Sequence, residues 1–298
     1  MTSQKNLTPR TWSELILLGV IWGMSFLAIR IALDTVPVIT SVFHRVFWAA
    51  LALWLVIGFQ RLPIPRDLHI WGVFLVMGLL NNVLPFSLMA WGQLYVETGL
   101  TSILNAATAI FGVLLAALFF RDERLTKTRA LGVGLGFLGV SITIGLKQFG
   151  SLNPSNLGQV AILTGTLSYA FAAIWARAYM SALPPQIAAA GMLTGSAILM
   201  APIMLVVDGV PTFALPLETW SAIAYYALLA TAGAYLLYYR VLQRAGSGNV
   251  LLVTLIIPPI AILLGAVVRD EALPPRAFVG FAVLALGLLI LSRSRNRD

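Results

Sequence analysis

Uncharged, largely apolar stretches alternate with short polar segments along the whole chain. They cover residues 15–29, 46–60, 70–96, 98–120 and 130–146 in the first half, and 148–176, 178–207, 219–239, 245–268 and 277–292 in the second. A helix needs about 20 apolar residues to cross a hydrocarbon core about 30 Å thick, and charged residues at the ends of the shorter stretches can extend to the headgroups. The pattern predicts an all-α integral membrane protein with ten transmembrane helices.

The last part of the chain repeats an earlier part. Residues 90–145 recur as residues 238–293, at a constant offset of 148 positions (238 minus 90). The matching residues are mostly charged or glycine: Arg121, Asp122 and Glu123 recur as Arg269, Asp270 and Glu271, and Gly132 and Gly139 recur as Gly280 and Gly287. Because small residues let helices pack closely, we expect the fifth and tenth helices to form a scaffold.

The repeat divides the chain into two halves, residues 1–149 and residues 150–298. The first spans of the halves also align, with Leu17 matching Leu163 and Gly19 matching Gly165. Each half holds five helices, and an odd number of crossings turns the second half upside down relative to the first. The sequence therefore predicts two inverted five-helix repeats around a central cavity, an architecture typical of secondary transporters.

The composition excludes an ordinary water-soluble protein. Hydrophobic residues make up 59% of the chain and charged residues only 10%, and the mean hydropathy is +0.92. Cysteine is absent, which excludes disulfides, thiol nucleophiles and thiolate metal sites. We predict no cofactor and no bound metal.

The positive charges lie mostly on one side of the membrane. With the N-terminus inside, the inner loops and tails hold fourteen Lys and Arg residues: Lys5, Arg10, Arg61, Arg66, Arg121, Arg124, Lys127, Arg129, Arg177, Arg240, Arg244, Arg293, Arg295 and Arg297. The outer loops hold three, Lys147, Arg269 and Arg276. Cytoplasmic loops are rich in Lys and Arg, so we expect a multi-pass protein of the cell inner (plasma) membrane with both termini cytoplasmic. The net charge of +8 then reflects orientation, and we predict no nucleic-acid partner.

Several short motifs resemble a known family, the drug/metabolite transporter superfamily, and within it the ten-helix EamA-type exporters. They are Trp22-Gly23 with Phe26, Ala28, Ile29 and Arg30; Arg45 with Phe47; Asp122-Glu123-Arg124-Leu125-Thr126, where the family usually has Gly in place of Asp122; and Glu271-Ala272-Leu273. The chain looks closest to the bacterial aromatic amino acid exporters. The resemblance implies ten helices and the export of small metabolites, commonly amino acids.

Three polar residues form a stripe on the fourth span. Thr101, Asn105 and Thr108 follow one another at helical spacing, so they share one face that lipid would not tolerate. They either bond to a neighbouring helix or face a water-filled cavity. The equivalent positions 249, 253 and 256 are mostly apolar, and this asymmetry favours substrate binding, because helix contacts would be expected in both copies.

A second polar group lies deep in the third span. Asn81 and Asn82 are about 18 Å into the span at 1.5 Å per residue, and Pro85 follows them. A proline removes a backbone hydrogen bond and frees a carbonyl that polar groups must satisfy. Its equivalent is Gly233, which also weakens a helix. Paired interruptions point to a central substrate site, although a simple packing kink is the alternative.

Aromatic residues could form the rest of a site. We expect Trp22, Tyr169, Trp175 and Tyr235 to stack on a substrate, with core packing as the alternative for each. Arg45 has two interpretations: it attracts a substrate carboxylate, or it braces the outer half of the bundle. Because the family pattern carries this arginine across many substrates, bracing is the favoured one.

The predicted function is a secondary transporter that exports aromatic or other neutral amino acids and related small metabolites by alternating access. Its partners are a small-molecule substrate and the lipid bilayer. The sequence leaves the oligomeric state open and is compatible with a monomer. All eleven carboxylates lie at span ends or in loops, which argues against a buried proton or sodium relay. One alternative is an exporter of other metabolites or cationic drugs. Another is an intramembrane enzyme acting on a lipid-linked substrate, but we predict no enzyme because no nucleophile and base are suitably placed.

Overall fold

Ten helices follow one another along the chain, separated by short connections. The structure is a computed structural model, and it describes residues 8–121, 123–145, 153–250 and 252–294. The helices are α1 (Pro9–Ala32), α2 (Val38–Gln60), α3 (Leu68–Gly92), α4 (Thr98–Phe119), α5 (Lys127–Ile144), α6 (Pro154–Tyr179), α7 (Pro185–Val207), α8 (three consecutive segments, Leu217–Ala224, Tyr225–Gly233 and Ala234–Val250), α9 (Val253–Arg269) and α10 (Pro275–Ser294). These four ranges contain no strand.

Eight of the ten helices are long and apolar enough to cross a bilayer. The other two are α9, which is apolar but has 17 residues, and α5, which has 18 residues and carries Lys127 and Arg129 in its first turn. The outer surface of the bundle is apolar: Phe59 is 87% exposed, Leu118 78% and Val206 85%. Such a surface is unsuited to water and suited to lipid. The prediction of an all-α membrane protein with ten helices is confirmed.

Carboxylates at the ends of spans cap neighbouring helices. Glu271, just after α9, accepts a hydrogen bond from the backbone N–H of Thr98 at the start of α4, at 2.8 Å. Asp208, just after α7, accepts one from the backbone N–H of Thr40 in the first turn of α2, also at 2.8 Å. Each carboxylate satisfies a free N–H at a helix N-terminus and lies at its positive end. The caps therefore hold α4 to α9 and α2 to α7.

Helices α5 and α10 lie backbone to backbone and run in opposite directions. A Cβ atom at Gly280 would lie 2.6 Å from the carbonyl oxygen of Gly139, and one at Gly287 would lie 2.6 Å from that of Gly132. Gly132 and Gly139 are the repeat equivalents of Gly280 and Gly287, so each glycine faces the equivalent of the other glycine on its own helix. Equivalent helices that cross antiparallel in this way belong to halves of opposite orientation.

The remaining packing follows the same symmetry. Helix α1 packs on α9, and its equivalent α6 packs on α4; α2 packs on its own equivalent, α7. The two halves are therefore interleaved. The predicted boundary between residues 149 and 150 lies outside the described residues, so the division at this position stays a prediction. Asp122 also lies outside the described residues.

Two features of α4 and α9 differ from the sequence prediction. We predicted one continuous fourth span, but α4 is interrupted at Ala106, where the N–H of Ala106 bonds to Ile103 and the N–H of Ala109 to Ala106, both in three-residue steps. We predicted a ninth span from residue 245, but α8 continues to Val250 and α9 begins at Val253. Neither break is marked by proline.

Candidate functional site

A central cavity of about 490 Å³ lies among eight of the helices. Its wall comes from α1 to α4 and α6 to α9, together with Gln93 after α3, while no described residue of α5 or α10 lines it. The two glycine-packed helices thus stand outside the cavity, as expected of a scaffold. The volume is in the range of small-molecule sites, which is about 300–1,000 Å³.

Six of the nine residues predicted to bind substrate line this cavity. They are Trp22, Asn81, Asn105, Thr108, Tyr169 and Tyr235. They come from both halves and from five different helices, so folding brings together residues that are far apart in sequence. The predicted polar stripe on α4 contributes Asn105 and Thr108, and the hydroxyl of Thr108 has no hydrogen-bond partner among the described residues.

The structure does not place Asn82, Thr101 and Trp175 in the cavity wall. Asn82 is fully buried, and its amide donates to Ser196 on α7 at 2.8 Å. Thr101 is also fully buried. The indole N–H of Trp175 donates to the carbonyl oxygen of Val73 at 3.2 Å. Asn82 and Trp175 thus bond to other helices, while the hydroxyl of Thr101 is buried without a described partner. That these three bind substrate stays a prediction.

Tyr235 joins the two asparagines of α3 to α8. Its hydroxyl accepts a hydrogen bond from the Nδ2 of Asn81 at 3.0 Å and donates to the Oδ1 of Asn82 at 3.2 Å. Asn82 therefore does not line the cavity itself but positions the side chain of Tyr235, which does. The Oδ1 of Asn81 accepts no hydrogen bond from a described residue and remains available to a ligand.

Helices α3 and α8 are both interrupted where they pass the cavity. The backbone is π-helical over Leu79–Val83 in α3 and over Tyr225–Gly233 in α8, and these segments occupy equivalent positions of the two repeats. The predicted weak points, Pro85 and Gly233, lie close after and within them respectively. A π-helical segment leaves backbone carbonyls without their usual partners. The prediction of paired interruptions is confirmed.

Side chains from the other repeat satisfy two of these carbonyls. The hydroxyl of Ser168 on α6 donates to the carbonyl of Leu80 at 2.7 Å. The indole N–H of Trp22 on α1 donates to the carbonyl of Ala230 at 3.1 Å. Trp22 also lies 5.8 Å from the ring of Tyr238, centroid to centroid. One edge of this tryptophan is thus structural, while its ring lines the cavity.

Arg45 is the charged residue of the cavity wall, and we did not include it among the predicted site residues. Its Nε donates to the hydroxyl of Thr231 at 2.9 Å, and its guanidinium lies 3.8 Å from the centre of the Phe86 ring. Thr231 in turn donates to the carbonyl of Tyr226 inside the π-helical segment. Among the described residues, no carboxylate forms an ion pair with Arg45. A lone arginine within a span that lacks any acid was the signal in the sequence.

Gln93 is a second wall residue that the sequence analysis missed. Its amide nitrogen donates to the carbonyl oxygen of Phe26 at 3.0 Å, while its amide oxygen is buried without a described partner. The residue follows the end of α3 and carries no motif, so nothing in the pattern singled it out.

Ion pairs connect the helices at both ends of the bundle. At the end where α1 and α9 finish, Asp34 pairs with Arg269 and with Arg30. Partial burial by itself would raise the pKa of Asp34, but the hydrogen bond and charge of Arg269 and the charge of Arg30 together lower it below 3.8. At the other end, Glu14 at the start of α1 pairs with Arg244 on α8.

The described residues hold no group of three or more His, Asp or Glu side chains that could bind a metal ion. Apart from Arg45, the lining consists of apolar, aromatic, hydroxyl and amide groups. These groups can bind and orient a small molecule, but none is placed as a nucleophile beside a base.

Comparison with known proteins gives the same picture for the whole chain. Residues 12–145 match a family described as "EamA-like transporter family", and residues 156–293 match it a second time. A crystal structure with 17% sequence identity superposes with a TM-score of 0.69, over 98% of this chain and 99% of that one. At this identity the likeness supports the fold alone.

Two of the curated relatives have names that mention amino acids. The "Probable terminal-alkyne amino-acid exporter" of Streptantibioticus cattleyicolor is 26% identical over 291 residues, which are 96% of this chain and 94% of that protein. The "Probable amino-acid metabolite efflux pump" of Escherichia coli (strain K12) is 24% identical over 284 residues, which are 92% of each chain.

Proposed function

The chain belongs to the EamA-like transporter family, and we propose that it exports aromatic or other neutral amino acids and related small metabolites by alternating access. It is a multi-pass membrane transporter and not an enzyme. The finer points, namely substrate, direction and mechanism, are our proposal. So is its placement in the inner membrane with both termini cytoplasmic, which is supported by the excess of Lys and Arg in the inner loops.

The observation that carries this proposal is the cavity itself. It lies between the two inverted repeats, where transporters of this construction bind substrate. Its wall combines amides at Asn81 and Asn105 with the rings of Trp22, Tyr169 and Tyr235. Amides bond to the polar end of an amino acid, and aromatic rings accommodate an apolar or aromatic side chain.

The symmetry of the bundle supports alternating access. In inverted repeats, one half can adopt the arrangement of the other, which closes the site on one side and opens it on the opposite side. The cavity lining contains no Asp or Glu among its described residues. A carboxylate proton relay through the site is therefore not part of the proposal, and the substrate moves down its own gradient.

The names of two relatives support an amino acid as substrate. Both the exporter of Streptantibioticus cattleyicolor and the efflux pump of Escherichia coli are named for amino acids or their metabolites. At 24–26% identity these names set a substrate class to test and nothing narrower.

Counterflow in proteoliposomes tests the proposal. Liposomes that contain the purified full-length protein are preloaded with unlabelled phenylalanine, and uptake of labelled phenylalanine is followed in the presence of leucine, tryptophan, tetraethylammonium or uridine. We expect amino acids to exchange and to compete, and the cation and the nucleoside to do neither. Empty liposomes provide the background, and a failure of every amino acid to exchange would refute the proposal.

A further inference from the structure

Arg45 lies at depth in the membrane without a counter-charge. It is seven residues after the start of α2, roughly 10 Å along the helix at 1.5 Å per residue, and it is the charged side chain among the described residues that line the cavity. A buried cation is costly unless an anion or several hydrogen bonds compensate it. The ring of Phe86 and the hydroxyl of Thr231 compensate it only in part.

The geometry of Arg45 leaves its outer nitrogens free. A guanidinium carries five N–H donors, and the one on Nε is used by Thr231. Neither Nη1 nor Nη2 donates to a described residue. The contacts of Arg45 thus use the base and one face of the planar group. Its outer edge, the edge that can bind a carboxylate with two parallel hydrogen bonds, has no described partner, and the residue lines the cavity.

We propose that Arg45 binds the carboxylate of the substrate, so that the cavity selects organic acids with one carboxylate and excludes cations. This inference rests on the proposed function and deepens it. The substrate supplies an anion, which the described residues of the cavity wall do not, whereas a cationic compound would bring a like charge near the guanidinium. A bracing role alone accounts for the contacts with Thr231 and Phe86, but not for the unpaired edge.

The rest of the wall is arranged to complement a zwitterion. The Oδ1 of Asn81 has no described partner, and the amide of Asn105 makes no described side-chain hydrogen bond, so either can accept a bond from an ammonium group. Both lie in the cavity wall together with Arg45. An amino acid can therefore place its carboxylate at the arginine, its amino group at an amide oxygen and its side chain among the aromatic rings.

Three compounds of similar shape test the inference by counterflow with the full-length protein. Phenylalanine has both charged groups, phenylethylamine lacks the carboxylate, and phenylpyruvate lacks the amino group. We expect Arg45→Gln to raise the half-saturating concentration of phenylalanine about 10- to 100-fold, since it removes charge-assisted hydrogen bonds. Arg45→Lys keeps the positive charge but cannot form two parallel hydrogen bonds to a carboxylate. Its half-saturating concentration should therefore lie between those of Arg45→Gln and the wild type. Arg240→Gln, at an exposed position of α8, is the matched control and should leave transport unchanged.

The outcomes separate this inference from the proposed function. If phenylpyruvate moves and phenylalanine does not, amino-acid export is wrong and recognition of a carboxylate stands. If phenylethylamine moves as well as phenylalanine, or if Arg45→Gln keeps the wild-type preference for the carboxylate, the inference is overturned.

A binding measurement covers the two remaining cases. Where no compound moves, thermal stabilisation of the detergent-purified protein by phenylalanine or phenylpyruvate, lost in Arg45→Gln, supports the inference, and its absence overturns it. Where Arg45→Gln does not fold, Thr231→Val keeps the arginine but frees its Nε. That variant should bind phenylalanine and phenylpyruvate several-fold more weakly and should not change the binding of phenylethylamine. An unchanged affinity for phenylalanine and phenylpyruvate overturns the inference.

Discussion

Trp22 and Ser168 occupy equivalent positions in the two repeats, 146 residues apart (168 minus 22), and each donates a hydrogen bond to a carbonyl in a π-helical segment of the opposite repeat. The two residue types differ, but both side chains donate a hydrogen bond to a backbone carbonyl. Each half therefore supplies the polar group that stabilises the interrupted helix of the other half, next to the cavity.

Removing the hydroxyl of Ser168 should destabilise the bundle. Ser168→Ala removes the donor to the partly buried carbonyl of Leu80, and an unsatisfied buried acceptor costs about 1–3 kcal/mol. Thermal unfolding in detergent should therefore shift to a lower temperature. Ser221→Ala is the control, because that hydroxyl is exposed and bonds only within its own helix turn. Equal unfolding temperatures for the two variants would contradict a supporting role of Ser168.

Thr108 gives a test of the cavity wall. Its hydroxyl has no described partner, so Thr108→Val removes no hydrogen bond to a described residue and should leave thermal stability unchanged or slightly higher. If the hydroxyl binds substrate or its water, the half-saturating concentration should rise several-fold, as for the loss of one hydrogen bond of about 1 kcal/mol. Thr164→Val is the matched control, since Thr164 is exposed and bonds to Val160 of its own helix. Loss of stability without a change in transport would assign Thr108 to helix packing.

The hydroxyl of Tyr235 should affect transport through the asparagines it fixes. Tyr235→Phe keeps the ring but removes the bonds to Asn81 and Asn82, so both amides can reorient. We expect a decrease of roughly tenfold in the maximal rate or the affinity, with the protein still folded. Tyr95→Phe, at a residue that is 44% exposed, should transport normally. Wild-type flux in Tyr235→Phe would mean that the amide network does not shape the site.

The contact between α5 and α10 should not tolerate a side chain. Gly139→Val places atoms against the backbone of α10, and such overpacking costs about 1–3 kcal/mol or more. Gly134→Val makes the same change on the same helix, where a Cβ atom meets nothing within 4 Å. The yield of monodisperse protein and its unfolding temperature should fall for the first variant only. A similar effect of both would attribute the loss to the helix propensity of valine.

The ion pair of Asp34 with Arg269 should give a stabilisation that acid removes. The pKa of Asp34 is lowered in the folded protein, so the charged form is favoured by folding. Its stabilisation is fully present above the ordinary value of 3.8 and is lost as the pH falls through the lowered pKa. The difference in unfolding temperature between the wild type and Asp34→Asn should stay constant at neutral pH and shrink below about pH 4. A difference that does not change with pH would show that the ion pair contributes nothing, as partly exposed pairs often do.

The sequence predicted the architecture because membrane-spanning helices follow from a single requirement, the burial of backbone in lipid. The length of the apolar stretches set the number of helices, and an odd number in each half required inversion. Pro85 and Gly233 also predicted where α3 and α8 are interrupted, since both residues weaken helical hydrogen bonding. The break at Ala106 escaped prediction because alanine favours a helix and tertiary packing decides its backbone there.

The binding site was harder to predict because periodicity gives the faces of a helix but not what each face meets. Asn81 and Asn82 are neighbours in sequence, yet one lines the cavity and the other bonds to Ser196 on α7. Thr101 lies one turn before Asn105 and is buried in packing. Arg45 was assigned to bracing on its family pattern, whereas its free edge becomes visible only when the surrounding helices are placed.

The glycine contact between α5 and α10 has the form of a two-fold symmetric dimer interface enclosed within one polypeptide. Main-chain atoms of the paired glycines meet directly in this contact, so its position depends little on the identity of side chains around the cavity. Residues around the cavity can therefore be exchanged to suit a new cargo while the axis that relates the two halves stays where it is.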